Sequence, residues 1–331
     1  MSAAEVVARA VTYAAAMLVF GASLFPIYAR SGVPPETGDD LRRHWHALRR
    51  RVRVLQLACV AATLVAGLLW LVIRSATVAD VPVAHAMSGA VAGEVLRATL
   101  FGHAMAWHLG FAAAMLAILA VGPSAVEETP PPVRNDVVRA VLSAGTLATL
   151  AWMGHAAGTR GVDRYVHLGC DVVHLLAAGA WLGALPPLAA TIVRAAREQS
   201  PALDRLALCM TRRFSALGVV CVGTVFVTGT INGCYLVATP AALFGTSYGR
   251  LLLLKLALFA SMLVLAARNR FILTPRVRQG FRGNTEAARD AMHGIARNAW
   301  KEALLGAGIA VIVGVLGMSV PAAHTLHTHM H

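Results

Sequence analysis

Eight apolar runs divide the chain, at residues 3–28, 52–73, 102–121, 137–157, 165–193, 214–237, 248–271 and 299–320. Each is long enough to cross a hydrocarbon core of about 30 Å as a helix. The polar positions gather between the runs in short arginine-bearing segments. The first run is too long for a signal peptide and leads into a strongly basic stretch, so it reads as a spanning helix. Residues 75–100 are less apolar and hold His85, Met87, Glu94 and Arg97; they predict an exterior loop with a partly amphipathic helix. A proline-rich turn (Pro130, Pro131, Pro132) precedes the fourth run. The pattern predicts an all-α polytopic membrane protein of eight transmembrane helices. It forms one domain over 1–331, with a histidine-rich tail at 321–331.

Composition agrees. The chain is 57% hydrophobic and 14% charged, where a soluble domain carries about a quarter charged residues. A net charge of +13 raises the question of nucleic acid. The arginines lie in the connections between apolar runs, however, which is a topology signal rather than a binding groove. The segments 29–53, 123–139, 194–213 and 267–301, around the connections after the first, third, fifth and seventh runs, hold 22 of the 29 Lys and Arg residues. By the positive-inside rule those connections are cytoplasmic and both termini are periplasmic. No phosphate-binding G-x-x-x-x-G-K-[ST] motif occurs, which argues against an ATP-driven pump. No C-x-x-C-H haem motif and no C-x-x-C pair occurs, and the five cysteines are scattered singly.

The chemistry concentrates in residues 154–183, where two apolar runs meet through a polar turn. His155 closes one run; His167, Asp171 and His174 open the next, four and three residues apart. On a helix those spacings share one face, and ionisable groups in an apolar segment read as a functional site with partners. Imidazole binds copper and zinc, carboxylate suits the oxidised metal, and thioether or thiolate favours Cu(I). His155, His167, Asp171 and His174 are therefore the candidate metal ligands. Secondary candidates on the same predicted side are His85 with Met87, His103 with Met105, Met153, Cys170, and the tail residues His324, His327, His329 and His331. Singly, such groups are ordinary: boundary histidines, apolar filler, or an adventitious metal-binding tract. A polar cluster that merely bridges helices four and five is the bland account of the main four. Asn232 lies on a candidate pathway, and Trp181 on helix five is a further pathway candidate. Glu302 opens the eighth run at its cytoplasmic end, where pairing with a nearby arginine is the simpler expectation. Gly183 reads as a point of close helix contact.

Several stretches together resemble the CopD/PcoD copper-resistance membrane proteins: HLLAAGAWLG from His174, VTGTIN ending at Asn232, GTSYGRLLLLKLALF from Gly245, and AARNRFILTPR ending at Arg276. The resemblance implies a bacterial inner-membrane protein that moves copper, Cu(I) or Cu(II), from periplasm toward cytoplasm. It also implies a small periplasmic partner of the CopC type. His155, His167, Asp171 and His174 match the family's polar positions around its fifth helix, and Asn232 and Glu302 its other intramembrane polar positions. No CopC-like domain is fused here, so the donor would be separate or unnecessary. The tail is not a general family feature. Two other readings stay open. One is a redox protein holding b-type haem through His155, His174, His103 or His108; the other is a copper chaperone or assembly factor for a membrane oxidase.

Overall fold

The structure, a computed structural model, describes residues 2–30, 39–121, 133–158, 161–198, 200–237 and 239–319. Among these residues all regular structure is helical: α1 (Ala3–Ala29), α2 (Asp39–Ala79), α3 (Val83–Ala86), α4 (Ala90–Ala98), α5 (Leu100–Val121), α6 (Val133–Ala148), α7 (Asp163–Leu182), α8 (Leu185–Glu198), α9 (Pro201–Leu236), α10 (Pro240–Gly245), α11 (Ser247–Arg268), α12 (Thr274–Gly283) and α13 (Thr285–Leu316). Eight helical stretches are long and apolar enough to cross a membrane, and they follow the eight predicted runs in order. Large apolar side chains lie exposed on their outer faces, among them Val65, Phe226 and Val264. A lipid environment accounts for such faces where water would not.

The helices outrun the hydropathy pattern. The basic segment before the second run is not a loop: residues 39–53 belong to α2, which at 41 residues is about 60 Å long. Its arginines sit on a helical extension, and Arg49 holds the buried Asp136 of α6 in a two-pronged ion pair at 2.7 and 2.8 Å. Hydropathy marks only the lipid-crossing part of such a helix. The same holds for α9 and α13, which begin at Pro201 and Thr285, well before the apolar runs at 214 and 299. Within 75–100 the expected helix is present as α3 and α4.

The fifth run is not one helix. It breaks after Leu182 into α7 and α8. Pro186 and Pro187 have no N–H to give to the carbonyls of Leu182 and Gly183, so two hydrogen bonds are missing in succession. Gly183 and Gly21 meet there backbone to backbone: a side chain on either would overlap the other helix. The expected close contact at Gly183 is thus with α1. This helix is the hub of the bundle, packing against α2, α6, α7 and α13. The fourth run likewise ends in tighter 3-10 turns at Thr149–Met153 and His155–Gly158. They lift the chain off the helix axis and present His155 to the next helices.

Candidate functional site

His155, His167, Asp171 and His174 line a single cavity of about 160 Å³. Its walls come from the start of α1, the 3-10 turn at His155, the first half of α7, the last turns of α9 and α13, and the start of α11. These are all one end of the bundle. The i, i+4, i+7 spacing on α7 does bring the three α7 groups to one side, and the fourth group arrives from the preceding turn.

Each polar group has a defined partner. His174 Nδ1 lies 3.0 Å from Thr228 Oγ1, and that hydroxyl already donates its only proton to the Thr224 carbonyl at 2.6 Å. Nδ1 must therefore be the donor, which leaves the lone pair of His174 on Nε2. His155 Nε2 donates to the Leu316 carbonyl at 2.9 Å. A neutral imidazole with one nitrogen anchored by the protein and the other bearing a lone pair is the form that ligates a metal. Asp171 Oδ1 accepts from Asn232 Nδ2 at 3.3 Å. The Oδ1 of Asn232 is buried with no hydrogen-bond partner. His167, nearly fully buried, stacks on Tyr235 with ring centroids 4.7 Å apart. Among the described residues, no three His, Cys, Asp or Glu side chains are already clustered as a metal site. The four groups surround a common space without closing on it.

The Thr228 contact gives a direct test. Thr228→Val removes the acceptor that fixes the His174 tautomer while keeping the shape of the side chain. Copper affinity in detergent, measured by chelator competition, should fall about tenfold, as for other groups that orient a ligand. Unchanged affinity would show that the tautomer is set elsewhere.

Other candidates lie apart. Cys170 is half-buried on α7 and does not line the cavity. His85 and Met87 are exposed at α3. His103 is exposed, its Nε2 donating to the Arg97 carbonyl at 2.8 Å. Met105 and Met153 are buried in the apolar core. His324, His327, His329 and His331 fall outside the described residues. Trp181 lines a second cavity of about 670 Å³, largely apolar, between α7, α9 and α11. That cavity shares His174 and Lys255 with the first.

Glu302 is buried on α13 one turn before Gly306, which lines the His–Asp cavity, and its partner is not an arginine. Asn269 Nδ2 donates to Glu302 Oε1 at 3.0 Å, and Asn298 Nδ2 donates to Asn269 Oδ1 at 2.8 Å. A π-helical turn at Asn269–Leu273 delivers Asn269 to this position. Asn298 also lines an open pocket of about 640 Å³ with Arg268, Arg276 and Arg297.

Sequence reasoning missed four cavity residues: Arg9, Tyr13, Tyr248 and Lys255. Arg9 and Lys255 are cations inside apolar runs, a signal that was available. Tyr13, whose hydroxyl donates to the Leu150 carbonyl at 3.3 Å, and Tyr248, whose ring lies edge-on to His155 at 6.1 Å, carry no such signal.

The fold and cavity define a many-helix membrane protein with a histidine- and carboxylate-lined chamber at one end of its bundle. Comparison with known sequences supplies the family. The family described as Copper resistance protein D matches residues 208–316, and that described as Copper resistance protein D-like, N-terminal domain, matches residues 1–166. Copper resistance protein D of Pseudomonas syringae pv. tomato is 30% identical over 93% of both chains. The chain belongs to the copper resistance protein D family. Copper transport protein CutJ of Bacillus subtilis (strain 168) is 35% identical over 41% of this chain and 24% of its own length. Inner membrane protein YebZ of Escherichia coli (strain K12) is 35% identical over 42% of this chain and 46% of its own. No solved structure matches.

Proposed function

We propose that the chain binds copper in the His155/His167/Asp171/His174 cavity and moves it from the periplasm toward the cytoplasm across a bacterial inner membrane, without catalysing a reaction. The observation that carries this reading is the meeting of all four residues at one cavity, with His155 and His174 each anchored through one ring nitrogen. The distribution of Lys and Arg supports a periplasmic location for the cavity and for both termini. The whole chain acts as one transmembrane unit, and a periplasmic carrier of the CopC type is the proposed donor. The cavity favours an ion over a haem: about 160 Å³ is below even the ~300 Å³ of a small-molecule pocket.

Binding closes the cavity by side-chain rotation, drawing the imidazoles and the Asp171 carboxylate onto the ion. Lys255 then has a role. It lines the cavity and interacts electrostatically with Asp171 and His174, so it balances the carboxylate until a metal cation takes its place. Two unit charges about 8 Å apart at an effective dielectric of ~20 interact by roughly 2 kcal/mol, the scale expected for groups that share one cavity. Lys255→Met should therefore tighten copper binding by more than about tenfold and slow its release. Weaker binding in this variant would count against cation competition.

The test of the whole reading is copper uptake into proteoliposomes holding the purified chain, with the wild type compared with Asp171→Asn. Uptake that needs Asp171 supports transport. Bound copper without uptake, coupled in cells to loss of a membrane oxidase's activity, would make the protein an assembly factor. A Soret band in copper-free protein would make it a haem protein.

A further inference from the structure

A second place in the bundle has the chemistry of a metal site, away from the cavity and built from different donors. His108 lies on α5, roughly 12 Å of helix from its first residue, and is fully buried. Its Nδ1 is 2.8 Å from the Thr146 carbonyl and 3.1 Å from Thr149 Oγ1. A carbonyl only accepts, and the Thr149 hydroxyl gives its proton to the same carbonyl at 2.7 Å. Nδ1 therefore carries the hydrogen and Nε2 the lone pair. That Nε2 is buried without a hydrogen-bond partner. A buried acceptor left unpaired costs about 1–3 kcal/mol, which leucine at this position would avoid.

Met105 stands one turn earlier on the same face and is also fully buried. Both side chains converge on the bare backbone of Gly67 in α2. A carbon placed at the missing Cβ position of Gly67 would be 3.6 Å from His108 Cδ2 and 3.8 Å from Met105 Sδ. The thioether and the Cδ2 edge of the imidazole thus approach the same point on α2, where Leu109 Cδ2 is nearer still, at 3.1 Å. At i and i+3 on one helix the two side chains are neighbours, and bonds of ~2.0 Å to nitrogen and ~2.3 Å to sulfur would let one ion be held between them. One imidazole and one thioether, with no carboxylate beside them, are a soft pair that selects a monovalent soft ion over Cu(II). The Thr146 carbonyl anchors the far nitrogen, as outer-shell partners of ligating histidines do.

We propose that Met105 and His108 form a buried, two-coordinate Cu(I) site within the α2–α5–α6 part of the bundle, separate from the His–Asp cavity. The choice of ion rests on the copper reading above. The donor pair equally predicts binding of Ag(I). The site holds one reduced ion in a dry environment, and Gly67 leaves the space for it.

The test is anaerobic titration of the full-length, detergent-purified protein with Cu(I) against a chromophoric Cu(I) chelator, repeated with Ag(I). Met105→Leu conserves side-chain volume, and Gly67→Ala puts a methyl group in the gap while keeping both donors. Each should lose one chelator-resistant equivalent of Cu(I) relative to the wild type and leave Cu(II) binding unchanged. His174→Ala should keep this equivalent, and the His174→Ala/Met105→Leu double variant should lose it. If His174→Ala has no effect on copper while Met105→Leu still removes one equivalent, the cavity reading fails and this site stands. Wild-type Cu(I) stoichiometry in Met105→Leu overturns the proposal. Should that variant fail to fold, wild-type stoichiometry in Gly67→Ala overturns it equally.

Discussion

His174→Ala is expected to abolish the copper that the cavity binds, an affinity loss of at least ~100-fold, given that even outer-shell partners are worth 10–100-fold. The residue has three properties that no other cavity group combines. Its tautomer is fixed by Thr228, it lies on the same helix as Asp171, and it sits on the wall shared with the apolar cavity between α9 and α11. Gly229 permits the approach: a side chain there would come within 3.3 Å of the imidazole. The substitution leaves the helix register intact, since the ring lies toward the cavity rather than in the apolar core. Metal content of the purified protein, with the tail histidines replaced to remove adventitious binding, gives the readout. Copper retained at wild-type stoichiometry would place the site away from α7.

Gly21→Ala is expected to be strongly destabilising for a single added methyl group. The added carbon would overlap the backbone of Gly183 and Ala184, and neither can swing aside as a flexible side chain does. Overpacking against an adaptable core costs about 1–3 kcal/mol; here the cost should reach or exceed the top of that range, because α1 must separate from the α7–α8 break. Gly110→Ala supplies the contrast. It lies mid-helix in α5 with nothing within 4 Å of the added carbon, so helix propensity alone should make it neutral or stabilising by up to ~1 kcal/mol. Thermal unfolding in detergent of the two variants side by side separates contact from propensity. Equal midpoints would mean that the Gly21–Gly183 approach carries no weight.

The eight spans were legible because lipid-facing segments must be apolar throughout, and the cavity residues because ionisable groups in such segments are conspicuous. His155, Asp171 and His174 needed only spacing and setting to be singled out. What was not legible has physical causes. The arginine-rich first turns of α2 are helical although nothing in their hydropathy says so; tertiary contacts such as Arg49–Asp136 hold them. The break at Gly183 depends on α1, far away in sequence. Glu302 was expected to meet an arginine, but a single π-turn puts Asn269 there instead. Lys255 and Arg9 lie inside apolar runs, but their positions alone do not say that both turn toward the same cavity. His108 looked like a lone boundary histidine; only its unpartnered nitrogen beside a thioether distinguishes it.

The central position of α1 also has a temporal side. Arg9 and Glu5 are buried at 5% and 3% exposure. The Arg9 guanidinium lies 4.7 Å over the Trp70 ring and against Gly317, just past the end of α13. α1 thus acquires its contact with Gly317 only when α13 has emerged. At 5–20 residues per second, Arg9 waits roughly 15–60 s for that neighbour. Until α13 emerges, α1 is a charged helix without its full set of partners, held by α2, α6 and α7. A chain interrupted before α13 leaves Arg9 without that neighbour, at a depth where a poorly compensated cation costs several kcal/mol.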